Sequence, residues 1–414
     1  MAKTRLHIER LGPHGDGVAH LPRGIVYVDR TAPGDTLDAS VKKDAKGILR
    51  GEPLQFHELS PLRVNPPCRH FEECGNCTLQ HISKDFYQSW KEEKVRLALN
   101  KWKLKPASWL PSLFLGGANR RRATFSLTRN RGKLIAGYYQ RRSQHLSHIA
   151  SCEVALPDLL ERKQALEPFL SALVQEGEVL DLFLQKIGNQ YEAVLTEPKK
   201  TKKEFLTALI ESDLLDRFAL KTKKGIQILY QPRELQAHFG ELRVALPPAS
   251  FLQPTVEGEM ALTQAVLQAV SPSSSIADLF SGAGTFSGPL LSRGPVSSFE
   301  WNSHAVNNLK KAAKNFPLQA FRRDLFLNPL KSKELKAFET VVLDPPRAGC
   351  LEQARWIAQS HCPTIVSISC NPATFARDAH ALVQGGYFFK SVQVIDQFLW
   401  SSHVEMVGVF LKSS

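Results

Sequence analysis

The sequence predicts an α/β protein, with a Rossmann-like C-terminal domain preceded by a small β-barrel and an α+β central region. Short β-like runs separated by glycine and proline turns fill the first part of the chain. A β-rich pattern with interspersed helices follows, and strand–loop–helix alternation begins at Phe251. We therefore predict three domains, at residues 1–56, 57–250 and 251–414.

The composition is that of an ordinary globular chain. Its 414 residues are 43% hydrophobic and 22% charged. The first ten residues carry four charges and no apolar core, and no apolar run is long enough to cross a bilayer. We expect a cytoplasmic protein with no membrane association. Seven cysteines, an odd number without a secretion signal, argue against a disulfide framework.

The N-terminal segment alternates β-like runs, at residues 24–29 and 35–41, with turns that contain glycine. This pattern predicts an OB-like barrel, which is a common platform for nucleic acids. A structural role without RNA contact is the alternative. Further on, Lys84–Trp102 reads as a helix. The helical part near residues 80–105 is a candidate to pack on the C-terminal domain.

Positive charge is concentrated in the central region. The net charge is +13, yet residues 106–152 contain no Asp or Glu. Cations on strand-like segments with interleaved aromatic residues favour contact with a nucleic acid, although a solvated basic surface remains the simpler interpretation. The basic residues of this stretch are Arg120, Arg121, Arg122, Arg129, Arg131, Lys133, Arg141 and Arg142.

A cofactor site is predicted at the strand ends of the C-terminal domain. The run Ile276–Phe286 is a strand followed by a glycine turn, and later strand ends carry Glu300, Asp324 and Asp344. A carboxylate such as Glu300 can accept from both hydroxyls of a ribose. The phosphate-binding G-x-G-x-x-G pattern is absent, because Gly288 comes one place too late. This order of residues favours S-adenosylmethionine over a dinucleotide.

Cys370 is the candidate nucleophile. It ends an apolar strand, and Asn371 and Pro372 then predict the start of a helix. The helix N-terminus is expected to favour the thiolate. Together with the carboxylate of Glu405, the thiolate predicts covalent catalysis with a separate proton acceptor. A buried structural cysteine is the competing interpretation.

Three other cysteines, Cys68, Cys74 and Cys77, lie close together in the sequence, whereas Cys152 is distant from them. Cysteine thiolates bind either structural zinc or an iron–sulfur cluster, and the spacing alone leaves both open.

Taken together, these motifs resemble the RNA uracil-5-methyltransferases, most closely the bacterial 23S rRNA branch, over nearly the whole chain. The N-terminal barrel resembles the TRAM domain of that family, and the C-terminal domain its class I methyltransferase domain. The matching motifs are Phe251-Leu252-Gln253, Asp344-Pro345-Pro346-Arg347-Ala348-Gly349, Ser369–Asp378 and His403-Val404-Glu405.

The resemblance implies a mechanism and a set of ligands. Cys370 would add to carbon 6 of a uracil in 23S rRNA, and Glu405 would accept the proton from carbon 5. The four cysteines would hold a [4Fe–4S] cluster, and the protein would act as a monomer without an obligate protein partner. The implied contacts to S-adenosylmethionine come from Gln253, Phe280, Thr285, Glu300, Asp324 and Asp344.

Two other functions remain open. One is a tRNA uracil-5-methyltransferase, whose members generally lack both the barrel and the cysteine set. The other is an RNA-binding ribosome-assembly factor. The chain also departs from the family pattern at Ser281, at Thr255 and in the segment 396–402 before the His-x-Glu motif.

Overall fold

The computed structural model describes residues 3–199 and 203–412. The first six strands form one sheet in the order β1-β5-β6-β4-β3-β2, antiparallel except for the β4–β6 pair. Alternate side chains such as Leu6, Val26 and Leu37 fill its core. The two predicted β-runs of this segment are strands β4 and β5. The bounds are β1 Lys3–His7, β2 Arg10–Leu11, β3 Gly17–Leu21, β4 Gly24–Val28, β5 Thr36–Lys43 and β6 Leu49–Glu58.

A connector of loops and turns follows the first sheet and contains three of the cysteines. Helix α1 (Lys84–Lys101) comes next and ends at its C-cap residue Trp102, which confirms the predicted helix. Two short strands, β7 (Ser108–Trp109) and β8 (Leu113–Phe114), complete this segment.

The central region is a seven-stranded sheet in the order β11-β10-β9-β12-β13-β14-β15. Helices α2 (Pro157–Ser171) and α3 (Lys203–Glu211) belong to the same region, and side chains such as Phe125, Leu182 and Phe218 form a separate core. The strand bounds are β9 Arg122–Asn130, β10 Lys133–Tyr139, β11 Leu146–His148, β12 Val179–Ile187, β13 Gln190–Thr196, β14 Arg217–Thr222 and β15 Gly225–Tyr230.

The C-terminal region is built on a mostly parallel sheet in the order β20-β19-β18-β21-β22-β24-β23. Strands β18 to β22 run parallel, and β24 enters antiparallel between β22 and β23. A two-stranded hairpin, β16–β17, precedes the sheet. The strand bounds are β16 Gln236–Phe239, β17 Leu242–Ala245, β18 Ile276–Leu279, β19 Val296–Glu300, β20 Leu318–Arg322, β21 Thr340–Leu343, β22 Thr364–Ser369, β23 Tyr387–Asp396 and β24 Glu405–Lys412.

Six helices alternate with these strands, as expected for a parallel sheet with crossover connections. Thr255 caps α4 by accepting a hydrogen bond from Gly258 N at 2.9 Å, and Asn302 caps α6 in the same manner. The helix bounds are α4 Val256–Ala269, α5 Ser287–Leu290, α6 Ser303–Ala312, α7 Ser332–Leu335, α8 Leu351–Ala358 and α9 Pro372–Gln384.

The chain contributes to the C-terminal sheet much earlier than residue 251. Strands β7 and β8 both pair in parallel with β23, and Ser108 Oγ donates to Lys390 O at 3.3 Å. On α1, Val95 and Leu99 lie in the same core as the strands of the sheet. The first helix and the two strands after it are therefore part of the C-terminal body.

The β16–β17 hairpin also packs against the C-terminal body, since Leu242 and Val244 share a core with strands β18 and β22. A Cβ at Gly288 would lie only 2.1 Å from Phe239 O, so the glycine permits this close packing. The predicted boundary at residue 251 thus falls inside a packed core. The three domain ranges stay a prediction.

Candidate active site

A cavity of about 710 Å³ opens at the carboxyl ends of the parallel strands, the usual ligand position in open α/β sheets. Cys370 and Glu405 both line it. Five of the six predicted cofactor residues line it as well: Gln253, Phe280, Glu300, Asp324 and Asp344. Thr285 is buried and is not among the residues described as lining the cavity.

The glycine turn after β18 brings the backbone close to the cavity. Phe280, Gly282 and Gly284 all have positive φ angles, of 62°, 55° and 98°. A Cβ at Gly284 would lie 2.8 Å from Leu309 Cδ1, so a larger residue would push the turn away from α6. Gly282 N donates to Glu300 Oε2 at 3.1 Å, which couples the turn to the next strand end.

Backbone amides orient two of the carboxylates. Glu300 Oε1 accepts from Asn302 N at 2.8 Å, and Asp324 Oδ1 accepts from Phe326 N at 2.9 Å. Two aromatic side chains that the sequence analysis did not select, Trp301 and Phe326, line the same cavity and are exposed. Each of them follows a predicted acidic residue at a strand end by one or two positions, and this pattern could have identified them from the sequence. Both offer a stacking surface for a planar ring.

Asp344 is the carboxylate that is free to meet a ligand. Burial raises its pKa to about 7, and among the described residues no donor is hydrogen-bonded to its side chain. An unpartnered carboxylate in a partly enclosed cavity suits a cationic ligand. Asp278, at the end of the first parallel strand, is different: it is fully buried and accepts from Ser287 Oγ at 2.5 Å.

Cys370 lies between β22 and α9. Asn371 caps the helix by accepting from Ala373 N at 3.1 Å, and Pro372 is its first residue, so the predicted helix start is confirmed. The structure does not support the expected thiolate. Burial, with the charges of Glu405 and Asp344, raises the pKa of Cys370 to about 11, and the charge of Arg347 opposes this shift. Burial is the largest of these effects, and the sequence alone did not predict it.

The two sequence motifs around Cys370 are hydrogen-bonded to each other. Arg347 O accepts from Asn371 Nδ2 at 2.9 Å and from Thr374 Oγ1 at 3.1 Å. Arg377 Nη2 donates to Ala348 O at 2.9 Å. The loop after β21 is therefore fixed to the first turns of α9, and this linkage holds Arg347 beside the cavity.

Glu405 is the first residue of β24 and is only 4% exposed. Burial, followed by the charge of Asp344, raises its pKa to about 8. Gln397 Nε2 donates a hydrogen bond to Glu405 Oε2 and a second one to Gln253 Oε1, the latter at 2.8 Å. The carboxyl group is thus close to its titration point near neutral pH, as a proton acceptor requires.

A second cavity, of about 390 Å³, is lined by all four predicted metal-site cysteines, Cys68, Cys74, Cys77 and Cys152. We call it the cysteine cavity. Burial raises the pKa of the Cys77 thiol to about 12, and it raises those of Cys74 and Cys152 as well. Within residues 3–199 and 203–412, no three His, Cys, Asp or Glu side chains converge to hold a metal ion.

Two arginines face the same thiols. Arg120 and Arg122 line the cysteine cavity, and the Nε atom of each is buried without a hydrogen-bond partner among the described residues. Arg122 also stacks on Phe251, with 4.2 Å between the guanidinium carbon and the ring centroid. The cavity wall is therefore positively charged and suited to an anionic occupant.

Part of the predicted basic region serves the fold. Arg121 is buried, donates to Gln253 O at 2.9 Å and pairs with Glu259. Arg141 and Arg142 pair with Asp16 and Asp29 of the N-terminal sheet. Arg121 therefore holds the segment that carries Gln253, and Arg141 and Arg142 join the central region to the N-terminal sheet. Arg129 also serves the fold, since it donates to Ser171 Oγ at 3.1 Å and to Gly132 O at 3.3 Å.

A second opening, a groove of about 960 Å³, is also lined by Cys370. The turn Arg10–His14 of the N-terminal sheet forms one wall, and residues of α1, including Trp90 and Lys94, form another. Arg347 lines both this groove and the first cavity. Cys370 thus lines two separate openings.

Among the helices that the structure describes, none has the length and apolarity needed to span a bilayer.

Comparison with known proteins agrees with this geometry. A family model described as tRNA (Uracil-5-)-methyltransferase matches residues 146–414, and a TRAM domain model matches residues 3–54. An RNA methyltransferase of Brucella melitensis biotype 1, itself called uncharacterized, is 36% identical, covering 99% of this chain and 98% of that protein. The 23S rRNA (uracil(1939)-C(5))-methyltransferase RlmD of Alcanivorax borkumensis is 26% identical, covering 98% and 96%.

Among solved structures, the tRNA (uracil-54, C5)-methyltransferase of Pyrococcus abyssi, in complex with S-adenosyl-L-homocysteine, matches with a TM-score of 0.76. The match covers 98% of this chain and 99% of that one at 22% identity, so it shows a common fold. The predicted fold class, with its TRAM barrel and methyltransferase domain, is confirmed. The chain belongs to the RNA uracil-5-methyltransferase family, whose members use S-adenosylmethionine.

Proposed function

We propose that this enzyme transfers a methyl group from S-adenosylmethionine to carbon 5 of a uridine in 23S rRNA. Cys370 acts as the nucleophile and Glu405 as the proton acceptor. The observation that carries this proposal is their placement: Cys370 follows β22 and Glu405 begins β24, yet both line the cavity that the five candidate cofactor residues also line. Gln253, Phe280, Glu300, Asp324 and Asp344 are the proposed cofactor contacts.

The chemistry needs one thiol and one carboxylate. Carbon 5 of uracil is a poor nucleophile, so Cys370 Sγ first adds to carbon 6 and moves the double-bond electrons toward the carbon-4 oxygen as an enolate. The bound cofactor supplies an electrophilic methyl group, which carbon 5 then attacks. Glu405 next removes the proton from carbon 5. The electron pair re-forms the carbon 5–carbon 6 double bond, and the Cys370 thiolate leaves.

The protonation states set a pH dependence. Glu405 must be ionised to accept a proton, and its pKa of about 8 places part of the population in the neutral form near pH 7. Cys370 must lose its proton, and Arg347 is the nearby charge of this chain that favours the thiolate. Both requirements make the reaction faster as the pH rises through the neutral range.

The groove between the N-terminal sheet and α1 is the proposed path for the RNA. A base cannot meet Cys370 while it is stacked in a helix, so the target uridine must be turned out of the stack. The groove reaches Cys370 and carries cationic and aromatic side chains, including Arg10, Lys94 and Trp90. Such a wall suits a phosphate backbone with exposed bases.

For the four cysteines we propose a [4Fe–4S] cluster. The four thiols line one cavity, and Arg120 and Arg122 would offset the negative charge of a cluster there; four thiolates also suit zinc. When bound, the cluster supplies a four-point cross-link rather than redox chemistry. It joins the connector that carries Cys68, Cys74 and Cys77 to the segment around Cys152.

The choice of 23S rRNA rests on one relative, the Alcanivorax enzyme. The barrel does not separate rRNA from tRNA, contrary to the sequence-based expectation, because the Pyrococcus tRNA enzyme matches along 99% of its length. A tRNA substrate is therefore the second candidate.

The test is to incubate the enzyme with S-adenosylmethionine and unmodified 23S rRNA or tRNA in parallel. Nuclease digestion and mass spectrometry then locate 5-methyluridine. Methylation at one site of the rRNA supports the proposal, and methylation of tRNA alone transfers the mechanism to the second candidate. If neither RNA gains 5-methyluridine while the cofactor binds, the proposed activity is wrong.

A further inference from the structure

One side chain lies between the proposed cofactor side and the proposed proton acceptor. Gln397 is 4% exposed, in the loop from residue 397 to 404 that joins β23 to β24. Its Nε2 atom donates to Glu405 Oε2 and, at 2.8 Å, to Gln253 Oε1. Gln397 does not line the first cavity, but it touches two residues that do.

The space around Gln397 is tightly limited. A Cβ at Gly258, on α4, would lie 2.1 Å from Gln397 Oε1. Glycine at this position therefore leaves room for the amide, whose Oε1 has no hydrogen-bond partner among the residues described. The two hydrogen bonds of Gln397 are thus both made through Nε2, and the amide lies close against the backbone of α4.

The loop that carries Gln397 is fixed at its start. Asp396 pairs with the fully buried Lys91 at 2.8 Å and accepts from Tyr87, both on α1. Lys91 also donates to Phe398 O at 3.4 Å. A paired and hydrogen-bonded buried charge resists displacement, because breaking it leaves an uncompensated charge. The backbone on both sides of Gln397 therefore has a defined position.

The chemistry of the three side chains fixes which atoms donate and which accept in the hydrogen bonds of Gln397. An ionised Glu405 can only accept, so it requires a donor from Gln397. The second hydrogen of the same amide then requires an acceptor, which orients Gln253 with its Oε1 inward. The Nε2 of Gln253 is left as a donor for a ligand in the cavity. The ionised state of the proton acceptor and the orientation of a cofactor-side amide are therefore linked through one group.

We propose that Gln397 is a positioning residue for proton removal. It holds the Glu405 carboxylate toward carbon 5 of the uracil and sets the orientation of Gln253. This inference rests on the proposed function, and it predicts that loss of Gln397 slows resolution of the covalent adduct more than its formation.

The test compares wild-type enzyme with Gln397→Met, which keeps the length of the side chain but cannot donate, and Gln397→Glu, which places a second carboxylate against Glu405. Gln393→Met is the matched control, since Gln393 lies on β23 four positions before Gln397 and its amide donates to Pro111 O at 2.9 Å, away from the site. Each variant is mixed with S-adenosylmethionine and the RNA that wild-type enzyme methylates. Adduct formation and decay are followed on denaturing gels.

We expect Gln397→Met to slow adduct decay about tenfold, the order of one lost hydrogen bond to a charged group. The pH at which decay reaches half its maximum should rise in Gln397→Met, and rise further in Gln397→Glu because like charges oppose ionisation. An RNA with 5-fluorouridine at the target lacks the proton that Glu405 removes. Adduct formation on this RNA should stay near the wild-type rate in both variants.

Three results would separate the possible failures. Wild-type decay and pH dependence in both Gln397 variants would overturn the inference. So would an equal loss of adduct formation on 5-fluorouridine RNA, since this marks a general folding or binding defect, which thermal unfolding of the variants would also show. Absence of 5-methyluridine from wild-type enzyme would instead overturn the proposed function. A normal Gln393→Met together with slow decay in both Gln397 variants supports the inference.

Discussion

The first cavity and the cysteine cavity share a wall but are built differently. Gln397 lines the cysteine cavity and bonds Glu405, which lines the first one. The first cavity is formed by strand ends, with backbone amides that orient its carboxylates. The cysteine cavity is formed by the connector, the segment around Cys152 and a loop. The sheet therefore fixes the positions of the side chains in the first cavity, whereas the cysteine cavity brings together segments that no common sheet connects.

The largest expected loss of activity follows substitution of Cys370, the proposed nucleophile. Cys370→Ala should abolish methylation, because no other thiol described in the structure lines the first cavity. Binding of RNA and S-adenosylmethionine should persist, since the strand-end carboxylates are unchanged. Mass spectrometry of 5-methyluridine and equilibrium binding are the measurements. Cys362→Ala, at a buried cysteine away from the cavity, is the control; full turnover by Cys370→Ala would contradict the assignment.

Removing the proposed proton acceptor, Glu405, should stop the reaction after the covalent adduct has formed. Glu405→Gln should accumulate a covalent protein–RNA adduct and slow product formation by about 10² to 10⁴-fold, the usual contribution of a positioned base. A denaturing gel with labelled RNA detects the adduct. Glu352→Gln, at an exposed residue paired with Arg355, controls for loss of a carboxylate. Fast release of product without any adduct would argue against this role.

A substitution in the cysteine cavity should lower the stability of the protein more than its rate of methyl transfer. Cys77→Ser should remove bound iron and its broad visible absorption and should lower the thermal midpoint of unfolding, because a cross-link is lost. Methyl transfer at saturating RNA should fall far less than in Glu405→Gln. Iron analysis of anaerobically purified protein is the measurement, with Cys362→Ser as control. Stoichiometric zinc in place of iron would show that the cluster proposal is wrong.

The smallest expected effect concerns Arg347, which lowers the pKa of Cys370. Arg347→Met should raise that pKa by roughly one unit, so adduct formation at neutral pH should slow about tenfold. Because a thiol reacts as its thiolate, the profile of adduct formation should move to higher pH. Single-turnover rates across the neutral and alkaline range measure this. Arg355→Met is the control, and an unchanged profile would exclude this role for Arg347.

The sequence predicted the parts of the site that follow local rules. Glu300, Asp324 and Asp344 each come at or just after an apolar strand, and parallel strands bring their carboxyl ends to one edge. Asn371 and Pro372 likewise predicted the start of α9. These expectations need only the pattern of one segment and the geometry of a parallel sheet.

The remaining features depend on contacts between distant positions. The pKa of Cys370 was expected to be low from its own helix, but burial raises it, and so do the charges of Glu405 and Asp344 from other strands. The role proposed for Gln397 depends on the two side chains that it contacts, Glu405 and Gln253, and the sequence pattern does not predict these contacts. The four cysteines were grouped through the family resemblance, since the 74 positions between Cys77 and Cys152 give no spacing rule. Their ligand stays a prediction.

The early strands β7 and β8 also have a consequence for synthesis of the chain. Ser108 bonds a backbone carbonyl 282 residues later, and α1 packs in the same core. The edge formed by these elements therefore lacks its partner until β23, near residue 390, has left the ribosome. Contacts of such large sequence separation form slowly. We expect the catalytic body to complete its folding after translation, and a fragment that begins at residue 251 to expose an unpaired β23 edge that favours aggregation.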